Sequence, residues 1–541
     1  MNNVYFSIGD AVAGLGIFLL IPQFLKPVYI FRLRVIGIGL RTLYAAAALG
    51  FICVMVAALV PHFPNLQPAF LRPPLVWEVI GGLLYATSYS ALGWVYIFPA
   101  RVGSRSITKY VRAGANLLAS ASEEDRVEFA ADIASNIKRL IRIADRPRKT
   151  APDIASNSES FLQLLADPVF CRTLVVRLPW DAARLLRAFS EEHPKAPVGR
   201  VFVHQLTREW LLSSESGGAG EVDWQGFSDA PELSEAAFGD TYLNRHYLPW
   251  ESLTDFDFAH VDVGLLERIY RGAQLTIDNH IADRFSFQSY NIARLQENFE
   301  ALSRRIYALK KAEPDIAPCA NILGHSVKYV VEATRRYCRS VAGADGKAYY
   351  ASADTVAGFS ALDSIAEMVI SVLENMAYEF GGFEDKFWPM AREIWDSVLP
   401  RFGAQDAGMD ALQQRVTLKL VEKTKENMEG WYSPLPRLAL AIIGPYAAKG
   451  ETAERTAFKI CRDLFYRELK AFPAFYAKDP DRAKTFLPNN VRYDAATSEL
   501  AHRYSFGEED RTDLNALEIA AEPLAAESMP SLDPAKGPDA A

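Results

Sequence analysis

Three apolar stretches near the N-terminus limit the folds open to this chain more than any other feature of its sequence. A transmembrane helix needs about 20 mainly apolar residues, and residues 4–25, 43–60 and 75–99 come close to that length. The second stretch holds no charged residue, whereas Asp10 interrupts the first and Glu78 lies near the start of the third. We therefore expect an N-terminal bundle of three transmembrane helices.

The first stretch is predicted to be retained, because residues 1–10 contain no Lys or Arg and a signal peptide begins with a basic region. The acids Asp10 and Glu78 allow two interpretations. Intramembrane charges often mark an ion path, but an acid close to the interface costs little and needs no such role. Both residues are expected near the outer interface, which favours the second interpretation.

Basic residues flank these stretches unevenly. Lys26, Arg32, Arg34 and Arg41 lie between the first and second stretches, only Arg72 lies between the second and third, and the third is followed by Arg101, Arg105, Lys109 and Arg112. Loops rich in Lys and Arg stay on the cytoplasmic side. The sequence therefore predicts a multi-pass protein of the cell membrane, with its N-terminus outside and most of the chain in the cytoplasm.

Two features of this region leave alternatives open. Residues 28–40 are too short to cross a bilayer; they either lie along its surface with Arg32 and Arg34 on anionic headgroups or extend the second helix inward. Small residues also recur four apart, at Ala46 and Gly50 and at Gly82, Ala86 and Ser90. That spacing lets helices approach closely, within one bundle or between subunits.

The charge of the chain divides sharply near residue 112. Residues 1–112 carry nine Lys and Arg against two acids, giving +7, and the remainder carries 49 against 64, giving −15, which together make the net charge of −8. A basic region beside a membrane and an acidic body fit a protein that contacts membrane lipid. The acidic body makes nucleic acid an unlikely partner, since phosphate-binding surfaces need clustered Lys and Arg.

After the third stretch, the sequence predicts a large all-α domain. Ser122 with the acids after it is typical of a helix N-terminus, and further helices are expected over 264–283, 321–341, 386–399, 409–429 and 452–472. Two short β-branched runs, Cys171 to Leu178 and Val201 to Leu206, are predicted to pair as a small sheet.

This body is expected to have four parts after the transmembrane region 1–112. They are a first helical part over 113–212, a Gly-rich loop or boundary over 213–240, a main helical domain over 241–505, and an acidic tail over 506–541. The tail carries nine acids and few large apolar residues, so we expect it to be disordered.

Two apolar seams have the spacing of amphipathic helices. One is Ile292, Leu295, Phe299, Leu302, Ile306 and Leu309, and the other is Leu362, Ile365, Val369, Val372 and Met376. Seams of this length serve either the core of a helical bundle or a coiled-coil dimer. The bundle core is the favoured interpretation.

One cluster of side chains has the composition of a metal site. Carboxylates and imidazoles hold divalent cations whose bound water becomes a nucleophile, and the cluster comprises Asp255, Asp257, His260, Asp262, Asp278, His280 and Asp283. Their spacings do not place them on one helical face, and acids before a helix also serve as caps. Capping is therefore favoured over a divalent metal, and no cofactor is predicted.

No catalytic signature for a nucleotide-binding loop, a zinc protease, a dinucleotide site or a nucleophile elbow occurs in the chain. The sequence therefore favours a membrane-anchored interaction or signalling protein whose cytoplasmic body binds a protein partner or forms a homo-oligomer. The alternatives are a membrane-bound metal-dependent enzyme and a subunit of an oligomeric channel or transporter.

Overall fold

A computed structural model gives the fold of most of the chain. The residues that the structure describes are 9, 12–16, 19–20, 25–59, 74–103, 106–146, 152–213, 231–259, 261–283, 290–308, 316–341, 361–378, 388–400, 410–430, 433–443, 456–488, 491–502 and 515–518. They are mostly helical, which confirms the helical part of the predicted fold class. The chain divides into two compact units, residues 1–236 and 237–541.

The first unit is all helical in its described part. Its helices are α1 (Pro27–Ile36), α2 (Leu40–Leu59), α3 (Pro74–Ile97), α4 (Ile107–Ser120), α5 (Glu123–Ala144), α6 (Pro152–Leu164), α7 (Pro168–Arg177), α8 (Pro179–Glu192), α9 (Arg200–Leu212) and α10 (Pro231–Phe238), the last of which crosses into the second unit.

Two helices in the described part of the chain, not three, are long and apolar enough to cross a membrane. They are Leu40–Leu59 and Leu75–Ile97. The predicted first span over 4–25 lies mostly outside the described residues, although residues 12–16 are helical. Within that short piece, the carbonyl oxygen of Gly14 accepts a hydrogen bond of 2.9 Å from the Tyr89 hydroxyl of α3.

Helices α2 and α3 form an antiparallel hairpin. Leu43, near the start of α2, and Val95, near the end of α3, belong to one apolar cluster. Further along, Gly50 meets Gly81, where a Cβ added to Gly81 would lie 2.9 Å from the Gly50 carbonyl oxygen and 2.7 Å from a methyl carbon of Val54. The small residue Gly50 thus serves packing within one chain.

Helix α5 begins as the sequence predicts. Ser122 accepts from the backbone N–H of Asp125, and the Asp125 carboxylate accepts from the backbone N–H of Ser122, which completes a capping box. Two of the four N–H groups that a helix leaves unbonded at its start are satisfied in this way.

The predicted strands at Cys171 to Leu178 and Val201 to Leu206 are wrong, because both segments are helical. Asp167 caps α7 by accepting from the Phe170 N–H at 2.8 Å, and Pro168 supplies a first helical residue with a suitable φ. These start signals and tertiary packing outweigh the β-branched residues, whose preference for strands is a weak one.

The second unit is a larger helical assembly. Its described helices are α11 (Thr241–His246), α12 (Val263–Ala282), α13 (Tyr290–Ala308), α14 (Ile316–Val341), α15 (Ala361–Tyr378), α16 (Trp388–Val398), α17 (Ala411–Glu429), α18 (Leu435–Ile443), α19 (Thr456–Leu469), α20 (Phe472–Lys478) and α21 (Pro480–Phe486), with short 3₁₀ helices at Pro249–Ser252 and Asp255–Ala259. The predicted helices of this region are confirmed, with ends that differ by a few residues.

The two apolar seams lie in the core of this unit. Helix α13 packs against α15, α15 against α17, and α12 against α14. The described members of the first seam are buried on α13 and all five of the second are buried on α15; Leu309 lies outside the described residues. The bundle interpretation fits, and neither seam is left exposed for a coiled-coil partner.

A small antiparallel sheet follows the last helix. Its strands β1 (Val491–Asp494), β2 (Glu499–His502) and β3 (Asn515–Glu518) lie in that order, with Tyr493 opposite Leu500 and Leu500 opposite Leu517. The expectation of a disordered tail from residue 506 is therefore wrong for residues 515–518, where pairing with β2 supplies the backbone hydrogen bonds. The rest of the tail lies outside the described residues.

Candidate functional site

The structure gives the first acids of the proposed metal cluster local roles. Asp257 accepts hydrogen bonds from the backbone N–H and the hydroxyl of Thr254, at 2.8 and 2.9 Å. Asp262 is the N-cap of α12 and accepts from the Leu265 N–H at 2.6 Å. Asp255 is exposed in the first turn of a 3₁₀ helix, and His260 lies outside the described residues.

The later acids of that cluster bind polar side chains of their own unit. Both carboxylate oxygens of Asp278 lie 2.9 Å from the Tyr329 hydroxyl on α14. Asp283 pairs with Arg245 at 3.3 Å. Each carboxylate therefore serves contacts between helices of the second unit.

His280 lies on the buried face of α12. Its Nδ1 atom is 2.9 Å from the Thr276 carbonyl oxygen, and burial lowers its pKa to about 4. Within the described ranges, no group of three or more His, Cys, Asp and Glu side chains is placed to hold a metal ion.

The two acids predicted to lie near the outer interface remain untested there. Asp10 lies outside the described residues. Glu78 is 5% exposed within the protein, and its depth in a membrane stays a prediction.

A polar cleft of about 460 Å³ lies between α13 and α15 in the second unit. Arg304 pairs with Glu300 at 2.7 Å, and the Asn375 amide donates to Ser303 at 2.7 Å. The ion pair lies within α13, and the Asn375 bond joins α15 to α13. These polar groups are therefore already paired, which makes the cleft a weak candidate for a ligand.

A buried polar site of the first unit lies where the hairpin meets the helices that follow it. Arg32 on α1 donates from Nε to Asp132 Oδ2 on α5 at 2.9 Å, and from Nη1 to the Val95 carbonyl oxygen of α3 at 2.9 Å. Both side chains are buried, with Asp132 fully so. One guanidinium therefore joins three helices, and this site is called the junction below.

Asn136 extends the junction by one turn of α5. Its amide donates to the Ala100 carbonyl oxygen at 2.6 Å, and its carbonyl oxygen accepts from the Val102 N–H at 2.8 Å. Asn136 thus pairs with the backbone in the same way that a neighbouring strand would. The segment leaving α3 is fixed to α5 as a result.

Aromatic rings pack beneath these polar groups. Phe31 of α1 meets Tyr110 of α4 and Phe129 of α5 edge to face, with ring centroids 5.1 and 5.0 Å apart. Tyr110 continues to Phe161 on α6 at 5.3 Å. Edge-to-face pairs contribute about 0.5–1.5 kcal/mol beyond area burial, so α1 is firmly packed into the helical body.

Burial raises the pKa of Asp132, and the hydrogen bond and charge of Arg32 oppose that rise. A carboxylate in this position depends on its cation, because an unpaired charge in a site of low dielectric is costly. The pair is therefore an electrostatic unit whose halves stabilise one another.

Sequence reasoning missed the junction. It singled out no role for Asp132, and it left residues 28–40, which include α1, either along the membrane surface or as an extension of the second helix. The extension of α2 is wrong, since α1 is a separate helix that ends at Gly37 with φ +88°. Arg32 is paired with Asp132, whereas a position of α1 along a membrane surface, with Arg34 on anionic headgroups, stays a prediction. A weak signal exists, since Asp132 precedes two apolar residues of the buried face, Ile133 and Ala134.

Comparison with known proteins adds no assignment. No protein-family model matches the chain, and searches of curated proteins and of solved structures return no significant match.

Proposed function

We propose that this chain is a membrane-anchored interaction or signalling protein, whose helical body is held at the cytoplasmic face of the membrane by the junction. The observation that carries the proposal is the pair of hydrogen bonds from Arg32, one to the end of α3 and one to α5. That contact links an apolar hairpin to a helical body without a flexible tether. A partner bound by such a body would sense the position of the hairpin.

Exposure of the hairpin supports the membrane part of the proposal. In the most apolar 18 residues of α2 and α3, 33% and 22% respectively are buried. Large apolar side chains such as Ile52, Leu83 and Trp94 are more than half exposed. A soluble protein rarely leaves so much contiguous apolar surface in water, whereas a bilayer covers it.

The antiparallel hairpin and the charge pattern support the orientation. If α2 and α3 both cross the bilayer, the residues before Leu40 and after Ile97 emerge on one side. Those two flanks carry Lys26, Arg34, Arg101, Lys109 and Arg112, and Arg41 is the second residue of α2, against Arg72 in the connection between the spans. The positive-inside tendency places that side in the cytoplasm.

Cysteine labelling tests the anchor and its orientation. The native cysteines are buried, so new ones at Gln67 between the spans and at Ser216 in the body report their own surroundings. A membrane-impermeant maleimide should label Gln67→Cys in intact cells, and should label Ser216→Cys only after lysis. Release of the chain by alkaline carbonate, or labelling of Ser216→Cys in intact cells, contradicts the proposal.

Gentle extraction tests the interaction part. The full chain, solubilised in a mild detergent, should carry a stoichiometric second protein or form a defined oligomer. An Arg32→Gln variant that still inserts should lose that association, because its body is no longer held at the junction. A wild-type chain that is a bare monomer under these conditions overturns the proposal.

A further inference from the structure

A second site in the first unit consists of basic side chains that form no salt bridge with any described residue. A cleft of about 320 Å³ lies between α1 and α4, lined by Arg34, Thr108, Lys109, Arg112, Ala113 and Asn116. Three of these residues are cations, and all three side chains are exposed. Among the residues that the structure describes, the lining contains no Asp or Glu, and no carboxylate forms a salt bridge with any of the three.

The geometry of α4 concentrates these groups. Lys109, Arg112 and Asn116 are three and four residues apart, which puts them on one face of the helix. The first turn of α4 contains no acid, and its N-cap Ser106 makes no capping bond to the helix. The positive end of the helix dipole therefore adds to the charge of Lys109.

The cleft also lies beside the start of a proposed span. A Cβ added to Gly37 would be 2.9 Å from Lys109 Nζ, so the ammonium group lies over the turn that connects α1 to α2. Leu40, three residues further on, begins α2. In a membrane-anchored chain this is the depth of the lipid headgroups.

We propose that this basic cleft binds a phosphate-bearing anion, which is either the headgroup of an acidic phospholipid or a soluble phosphate. Arg34 and Arg112 supply planar donors suited to phosphate oxygens, Lys109 supplies a compact charge, and Asn116 adds a neutral donor. The lipid source rests on the proposed membrane anchor, whereas binding of soluble phosphate does not.

Thermal stability of the full chain in a neutral detergent tests the cleft, because a ligand of the folded state raises the melting temperature according to its concentration and Kd. The probes are phosphatidylglycerol, phosphatidylcholine of the same chain length, and inorganic phosphate. The cleft variant is Lys109→Ala with Arg112→Ala. The matched control is Arg184→Ala with Arg187→Ala, which removes the same charge from two exposed positions on α8.

Phosphatidylglycerol should stabilise the wild-type chain and phosphatidylcholine should not. The cleft variant should bind phosphatidylglycerol roughly 30-fold more weakly than the wild-type chain, at about one kcal/mol for each cation near an anionic surface. The control variant should bind it as the wild-type chain does. Arg34→Gln alone should weaken binding roughly fivefold. If inorganic phosphate gives the same pattern and phosphatidylglycerol adds nothing, the ligand is a soluble phosphate.

Equal stabilisation by both lipids without a phosphate effect, or equal loss in the cleft and control variants, overturns the proposal. The anchor is judged separately. A chain that stays in solution without detergent, yet needs Lys109 and Arg112 for a phosphate-dependent shift, would remove the membrane anchor and keep the cleft.

Discussion

Arg32 Nε lies 2.9 Å from Asp132 Oδ2, although 100 positions separate the two residues in the chain. The same guanidinium binds the last turn of α3 through the Val95 carbonyl oxygen. The contact defines where the hairpin ends and how the helices after it are attached.

Arg32→Ala should destabilise the protein by about 3–5 kcal/mol, the range for removing one partner of a buried ion pair. The loss arises because Asp132 stays buried without its cation. Thermal unfolding of the detergent-solubilised chain measures the change. Lys26→Ala is the matched control, since it breaks an exposed pair between Glu128 of α5 and the residue preceding α1, and its effect should be much smaller. Equal effects of the two variants would contradict a buried electrostatic unit.

Replacing both members of the buried pair should cost less than replacing one. In Arg32→Met with Asp132→Leu, no charge is left unpaired, so the double variant should recover at least half of the stability that Arg32→Met loses alone. A double-mutant cycle on the same unfolding measurement gives the coupling. Additive losses would mean that the two side chains act independently.

Gly81→Ile should open the hairpin. At Gly81 even a Cβ would lie 2.7 Å from a Val54 methyl carbon and 2.9 Å from the Gly50 carbonyl oxygen, so the two helices must move apart, at a cost of about 1–3 kcal/mol or more. Gly93→Ile is the control on the same helix, where nothing lies within 4 Å of an added Cβ. The melting temperature should fall for the first variant and hold for the second. A similar fall in both would point to a general intolerance of bulk in α3.

The second unit should lose stability as the pH falls from about 6.5 to 4. Burial lowers the pKa of His280 from 6.5 to about 4, so the unfolded chain binds a proton in this interval that the folded chain does not. The contribution of His280 is complete above pH 6.5, and about 3 kcal/mol of it is lost by pH 4. His280→Gln should flatten this part of the profile of unfolding free energy against pH. An unchanged slope in His280→Gln would refute the assignment.

Regular periodicity is what made parts of the fold predictable. The seam from Ile292 to Ile306 specifies both a helix and the face it buries, because spacings of three and four repeat without interruption. The short run Cys171 to Leu178 has no such repeat, so β-branched composition misled the prediction where Asp167 and Pro168 decided the outcome. Local patterns give only a weak signal for the burial of Asp132, because its partner Arg32 lies 100 residues away.

The candidate sites were also only partly predictable from the sequence. Sequence grouped His280 with nearby acids because they are close along the chain, but the helix turns His280 inward and aims Asp278 at Tyr329. It grouped the basic residues that flank the apolar helices, and their place beside a membrane stays a prediction. It offered no means to distinguish Arg32, which forms an ion pair with Asp132, from Arg34, which forms no salt bridge with a described residue.

The long separation between Arg32 and Asp132 also sets an order on biosynthesis. At about 5–20 residues per second, the ribosome needs roughly 5–20 s after Arg32 to make its partner. During that interval α2 and α3 emerge before Asp132, the partner of Arg32 in the folded protein, has been made. If α2 and α3 enter a bilayer as proposed, we expect Arg32 at first to keep α1 out of it, because an unpaired guanidinium resists entry into hydrocarbon. The same side chain can bind Asp132 once α5 has left the ribosome, and it then holds α1 against α5.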